Sequence, residues 1–249
     1  MRSLSMALIT PVERPHAMSQ PTVVLVHGAF ADASSFCPVT PQLLAAGLRV
    51  VAPAVPNRSL NGDAAYVGAV LAAIEGPVVL VGHSYGCAVV TVAGTADNVE
   101  GLVYLAGFVP DEGESLEQLQ GRFAESDLAQ SLVVTPVPGG ADLSVDTQKF
   151  PTVFAHDVDR TQAEVLAVTQ RPLSAAAFGE PAGGAAWRDT PAWGIVAAAD
   201  RTINPDVQRF GYERAGVATT EVTSSHLVML AQPAAAVDLI TTAVESVSN

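Results

Sequence analysis

The sequence predicts an α/β fold with a mostly parallel central sheet and helices on both faces. Three observations carry this. The apolar, β-branched runs "TVVLVH" (22–27), "PVVLVGH" (77–83) and "VEGLVYLAGFV" (99–109) show little polar alternation, as strands covered on both faces require. Helix-type segments separate the runs, which gives the strand–helix rhythm of a parallel sheet. The run ending at His83 meets "GHSYG" (82–86), where a strand must turn at once into a helix.

The first strand, 22–27, ends at Gly28. Residues from about Ser35 to Ala46 read as a helix closed by Gly47, with irregular first turns because of Pro38 and Pro41. "LRVVAP" (48–53) is a second strand. "NGDAAYVGAVLAAIEG" (61–76) follows as a helix, with Asp63 near its start and Gly76 as its stop. After the third strand comes a helix from Ser84 to about Ala96, and then the fourth strand, 99–109.

Here the rhythm breaks. Residues 110–185 read as a helical cap insertion, with helix-like pieces near 114–130 and 159–170, no strong buried strand and a net acidic charge. Alternation resumes with the strand "AWGIVAAAD" (192–200), a helix near 205–215, the strand "ATTEVTSS" (218–225) and a final helix from about Pro233 to Ser246. The expected organisation is an extension over 1–19, a core formed by 20–109 and 186–249, and the cap between them.

Composition narrows the function. The 249 residues are 49% hydrophobic and 15% charged, a globular profile long enough for a full core. A formal net charge of −13 argues against nucleic acid, whose phosphates need clustered Lys and Arg. No apolar run of about 18 residues suits a membrane span. Cys37 and Cys87 have no metal-ligand spacing and read as free thiols in a reducing, cytoplasmic setting. No cofactor and no metal are expected, and a homodimer is left open.

The chemistry starts at Ser84. A tight strand-to-helix turn strains its central residue, and glycines two positions either side remove backbone collisions. The hydroxyl then stands clear of the sheet beside a helix N-terminus, the arrangement of a nucleophile elbow, G-x-S-x-G. A serine nucleophile needs a base and an orienting acid, in the chain order Ser, acid, His on such a scaffold. His226, in "TSSHLVML", is the base, favoured over His156 in the insertion. Asp200, at the end of "WGIVAAAD", is the acid, with Asp111 after the fourth strand as its rival. The oxyanion donors expected are the backbone N–H groups of Tyr85 and Ala29, with Phe30 as an alternative. His27 and His83 read as structural. Phe123, Phe150, Phe154 and Phe178 are the candidates for an apolar pocket that limits acyl length to about two to six carbons.

Together "VVLVHGAF", "VGHSYG", "AAADRTINP" and "SSHLVMLAQP" resemble the α/β-hydrolase superfamily, and most of all the small bacterial esterases related to plant methyl-salicylate-type esterases and hydroxynitrile lyases. The resemblance implies a cap over the pocket, a triad matching Ser84, His226 and Asp200, and oxyanion donors matching Ala29 and Tyr85. Cys87 stands where many relatives have a further glycine, which implies a packing difference. The lyases carry Thr at the position of Gly28 and Lys at that of Leu227, and both departures favour an esterase. The expected function is hydrolysis of small neutral carboxylic esters through an acyl-enzyme. A hydroxynitrile-lyase-like activity and non-catalytic ligand binding are the alternatives.

Overall fold

The computed structural model describes residues 20–248, so the expected extension over 1–19 lies outside the described residues. The first half of the chain forms β1 (Thr22–Val26), α1 (Thr40–Ala45), β2 (Arg49–Val51), α2 (Leu60–Ala72), β3 (Val78–His83), α3 (Tyr85–Ala93) and β4 (Val99–Leu105). Then come α4 (Leu116–Gln120), β5 (Leu132–Val137), β6 (Gly140–Val145), α5 (Phe150–Val153), α6 (Arg160–Val168), β7 (Leu173–Ser174) and α7 (Ala175–Gly179). The last part supplies β8 (Ala192–Ala197), α8 (Pro205–Arg214), β9 (Ala218–Val222), α9 (Val228–Ala231) and α10 (Pro233–Val247).

Six strands form one sheet in the order β2-β1-β3-β4-β8-β9, and every pairing is parallel. Each residue of β1 and β3 is buried. Because successive side chains point to opposite faces, burial at every position means that both faces are covered. Helix α10 packs on β3, β4 and β8, while α3 packs on β1, β3 and β4 and against α2. From β1 the chain moves outward to β2 and then returns to β3 on the other side. This reversal opens a crevice at the carboxyl ends of β1 and β3, where ligands bind in open parallel sheets.

Among the described residues, four non-glycine residues have positive φ: Phe30 at 60°, Asn57 at 58°, Ser84 at 57° and Ala106 at 47°. They follow β1, β2, β3 and β4 in turn, so the conformations that L-residues resist line one rim of the sheet. The left-handed turn at Ala106 also explains why β4 stops at Leu105, short of the expected Val109.

The insertion departs from the expected helical cap. Its largest regular unit is a three-stranded antiparallel sheet, β5-β6-β7, to which α4, α5, α6 and α7 add four short helices. The "VPGGAD" turn closes the hairpin, with Gly139 at φ 86° between Val137 and Gly140, which are paired. The helix expected over 35–46 is split into a 3-10 turn (Ala33–Phe36) and α1, and Pro41 sits in the first turn of α1. No helix among the described residues is long and apolar enough to cross a membrane.

Candidate active site

Ser84 lies between β3 and α3 with φ 57° and ψ −122°. The local packing permits this turn only with glycine on either side. A Cβ on Gly82 would sit 2.6 Å from Gly86 O, and one on Gly86 would overlap the carbonyl oxygens of Val26 and His27. A side chain at Gly82 would push α3 off the end of β3, and one at Gly86 would push the elbow off β1. Behind it, the buried Cys87 donates its S–H to Gly82 O at 3.1 Å and occupies the space that Gly107 leaves by lacking a Cβ. Burial pushes the Cys87 thiol well above its usual pKa. Cys37 is free as well, and exposed.

Tyr85, the residue after Ser84, is anchored through its side chain. Its phenol donates to Asp63 Oδ2 at 2.7 Å. Burial raises both the Asp63 and the Tyr85 pKa. The Asp63 carboxylate also accepts the Arg58 N–H, which ties the elbow to the start of α2.

Asp200, just after β8, has a fully buried carboxylate held by four hydrogen bonds. Oδ1 accepts the backbone N–H groups of Thr202 (2.7 Å) and Ile203 (3.0 Å). Oδ2 accepts Gln208 Nε2 at 2.8 Å and His226 Nδ1 at 2.7 Å. His226 is also fully buried, and its Nε2 has no hydrogen-bond partner among the described residues. The Nδ1–H···Asp200 bond fixes the tautomer, so Nε2 presents a lone pair. Ser84 Oγ makes no hydrogen bond among the described residues either. His83 connects the two: it directly precedes Ser84, donates from Nε2 to His226 O at 2.9 Å, and its ring lies 4.7 Å from that of His226. Burial holds His83 well below its usual pKa, so it is neutral.

Asp111 is elsewhere. It pairs with Arg188 at 2.6 Å on the surface, and Asp200 is the carboxylate that meets His226. His156 donates from Nε2 to Ala199 O at 3.0 Å, so it braces the strand end that carries Asp200. His27 bridges Gly28 O (2.9 Å, from Nδ1) and the Val55 N–H (3.0 Å, to Nε2). This neutral form agrees with its pKa, which burial lowers.

The loop after β1 supplies backbone donors. Ala29 N–H and Tyr85 N–H have no acceptor among the described residues. Phe30 N–H donates to Arg171 O at 3.0 Å and is already satisfied, which removes it as an alternative to Ala29.

A cavity of about 450 Å³ reaches Ser84, Ala29 and Tyr85. Of the four phenylalanines expected to line it, Phe123 and Phe178 do so. Phe150 and Phe154 do not. They stack on one another at 4.7 Å, and Phe154 meets the His226 ring edge-on at 4.6 Å, so both are core behind the base. Sequence reasoning missed Phe108, Leu116, Leu128 and the Phe30 side chain in the lining. It also missed Gln208, whose signal is a lone polar residue on the buried face of α8 beside Val207, Gly211 and Tyr212. A third omission is Asp157, whose Oδ2 accepts the Ser225 N–H at 2.8 Å, one residue before His226. No group of three or more His, Cys, Asp or Glu that could hold a metal occurs among the described residues.

A strand–serine–helix elbow at the switch point of a parallel sheet, with a buried Asp–His pair beside it, defines a class, and the chain belongs to it. The Alpha/beta hydrolase family matches over residues 23–239. A carbendazim hydrolyzing esterase of Nocardioides sp. (strain SG-4G) is 39% identical over 112 residues, covering 39% of this chain and 46% of that esterase, so the chain spans about half its length in the match. Among solved structures, a pyrethroid hydrolase from Sphingobium faniae JZ-2 is similar at TM-score 0.76 and 24% identity, covering 91% of this chain and 98% of that one. A methylesterase from Arabidopsis is similar at TM-score 0.76 and 17% identity, covering 91% and 99%. These last two share the fold.

Proposed function

We propose that the protein hydrolyses small neutral carboxylic esters through a serine acyl-enzyme. The observation that carries this reading is the 2.7 Å His226 Nδ1–Asp200 Oδ2 bond, with Nε2 unpartnered beside the Ser84 elbow. In this mechanism His226 Nε2 takes the Ser84 proton as Oγ attacks the ester carbonyl. The tetrahedral oxyanion is stabilised by the N–H groups of Ala29 and Tyr85, preorganised before the charge develops. His226 then passes its proton to the departing alcohol. Water, deprotonated by the same nitrogen, releases the acid and restores Ser84. Apo geometry without a formed Ser–His bond is compatible with this, because such bonds often tighten only on substrate binding. Residues 110–185 act as the cap over the cavity, and two free cysteines fit a reducing, cytoplasmic setting.

The lyase alternative is disfavoured by space. A Cβ on Gly28 would lie 2.7 Å from Ser84 Cβ and 2.9 Å from His83 O, so a threonine here would displace the nucleophile. Leu227, at the position of the lyases' lysine, is buried.

The test is Ser84→Ala with a panel of aryl esters. Turnover is expected to fall on the order of 10⁴-fold with the circular dichroism spectrum unchanged. A folded variant that keeps normal turnover refutes the mechanism, and a wild type inert on all esters favours the binding-protein alternative.

A further inference from the structure

Among the described residues, the cavity is lined by charges of one sign. Glu117 and Glu125 are its charged lining residues, and no Lys, Arg or His joins them. Neither carboxylate forms an ion pair or a side-chain hydrogen bond among the described residues, although the neighbouring Glu114 has two arginine partners. The nearest cation in sequence, Arg122, is turned away to Glu114 at 2.9 Å and lies outside the lining.

The same walls carry aromatic rings. Phe108 and Phe178 meet edge-to-face at 5.9 Å, and Phe30, Tyr85 and Phe123 add further rings to the lining. The Glu117 carboxylate reaches the end of the helix that carries Phe178: Oε2 is 3.4 Å from where a Cβ on Gly179 would be, and both Glu117 and Phe178 line the cavity. Ser84, only 5% exposed, lines the same cavity, and its Oγ makes no hydrogen bond among the described residues. Aromatic faces with unpaired carboxylates nearby are the chemistry that recognises an alkylated ammonium group.

We propose that the cavity selects esters by charge, preferring those that carry a quaternary or alkylated ammonium group over isosteric neutral esters, and rejecting anionic ones. The proposal rests on the ester-hydrolase reading and names its substrate class. Phe108, Phe123 and Phe178 would pack around the ammonium methyl groups, while Glu117 and Glu125 supply the opposite charge. Both glutamates lie near solvent, so the preference weakens as salt screens them.

The experiment compares choline butyrate with 3,3-dimethylbutyl butyrate, its neutral carbon isostere. The expected kcat/KM ratio is about tenfold in favour of choline at low salt, shrinking as salt rises. Glu117→Gln with Glu125→Gln should bring the ratio close to one. An ester of matched length ending in a carboxylate should be the poorest of the three. A wild-type ratio at or below one, or a ratio unchanged in the double variant, overturns the proposal. Equilibrium binding of choline and of 3,3-dimethylbutanol to the Ser84→Ala protein separates this from failure of the hydrolase reading, since it needs no turnover. Choline binding the tighter without hydrolysis in the wild type would uphold the charge preference and refute only the reaction. Equal binding refutes the preference whatever the chemistry.

Discussion

The two halves of the candidate site are held in different ways. The elbow is fixed by backbone against backbone: Gly82 and Gly86 touch neighbouring main chain where any side chain would collide. The acid and base loops are held instead by side-chain hydrogen bonds, many from the insertion. Asp157 holds Ser225, His156 holds Ala199, Thr202 Oγ1 donates to Val153 O at 3.0 Å, and Phe154 packs on the His226 ring. The nucleophile is therefore a property of the core sheet, whereas the placement of its base depends on an added segment. Steric fixation tolerates almost no substitution, while a hydrogen-bonded brace should fail gradually.

The largest effect expected is at the junction of the two. Asp200→Asn removes the acceptor that sets the His226 tautomer, and turnover should drop on the order of 10⁴-fold. Asp111→Asn, tied to surface Arg188, should leave it near wild type. Steady-state kinetics on both variants check the ranking, and the reverse order would transfer the role to Asp111. Next comes Gly86→Ala, which forces a Cβ into the carbonyls ending β1. It should cost about 3 kcal/mol of stability, read from the urea midpoint, together with most activity. A stable, active Gly86→Ala would show that the elbow is looser than its contacts imply.

The brace gives smaller numbers. Asp157→Asn keeps the shape but weakens the bond to Ser225 N–H, and a loss of about tenfold in kcat with little change in KM is expected. An unchanged kcat would mean that the core alone holds His226. The smallest effect concerns Glu114, which ties the start of the insertion to Arg214 of α8 at 2.7 Å. Burial pushes its pKa up, but hydrogen bonds from Arg214, the Asp111 N–H and Arg122 outweigh this and hold it below its usual 4.5. A depressed folded-state pKa stabilises above the unfolded value and is lost as pH falls through the folded one. Glu114→Gln should thus cost about 1 kcal/mol near pH 7, with its Tm difference from wild type closing below about pH 4.5.

The same contrast explains what the sequence disclosed. Strands such as 78–83 and the G-x-S-x-G turn are legible because their causes are local: continuous apolar side chains, and glycine where backbone meets backbone. The insertion is harder. Val133 and Val134 of β5 are exposed apolar residues and Pro136 interrupts the run, so neither burial nor alternation marks the strand. The "PGG" turn was in plain view but reads equally as a loop between helices. Phe154 and Phe178 are indistinguishable by type, and only the fold puts one behind the base and the other in the cavity. Asp157 acts on Ser225 across 68 residues, which no local pattern encodes. Gln208 reaches Asp200 over only eight and is marked solely by its lone polar place on the buried face of α8.

The packing of Cys87 against Gly82 and Gly107 has an experimental use. Of the two free thiols, Cys37 is open to solvent, while Cys87 is sealed beneath the elbow and kept protonated by burial. A brief pulse of alkylating reagent should therefore add one label to the native chain and two to the unfolded chain. The second label can appear only when the strand–helix corner carrying Ser84 comes apart. Its rate of appearance is a clock for the opening of the catalytic corner, written into the protein without any introduced probe.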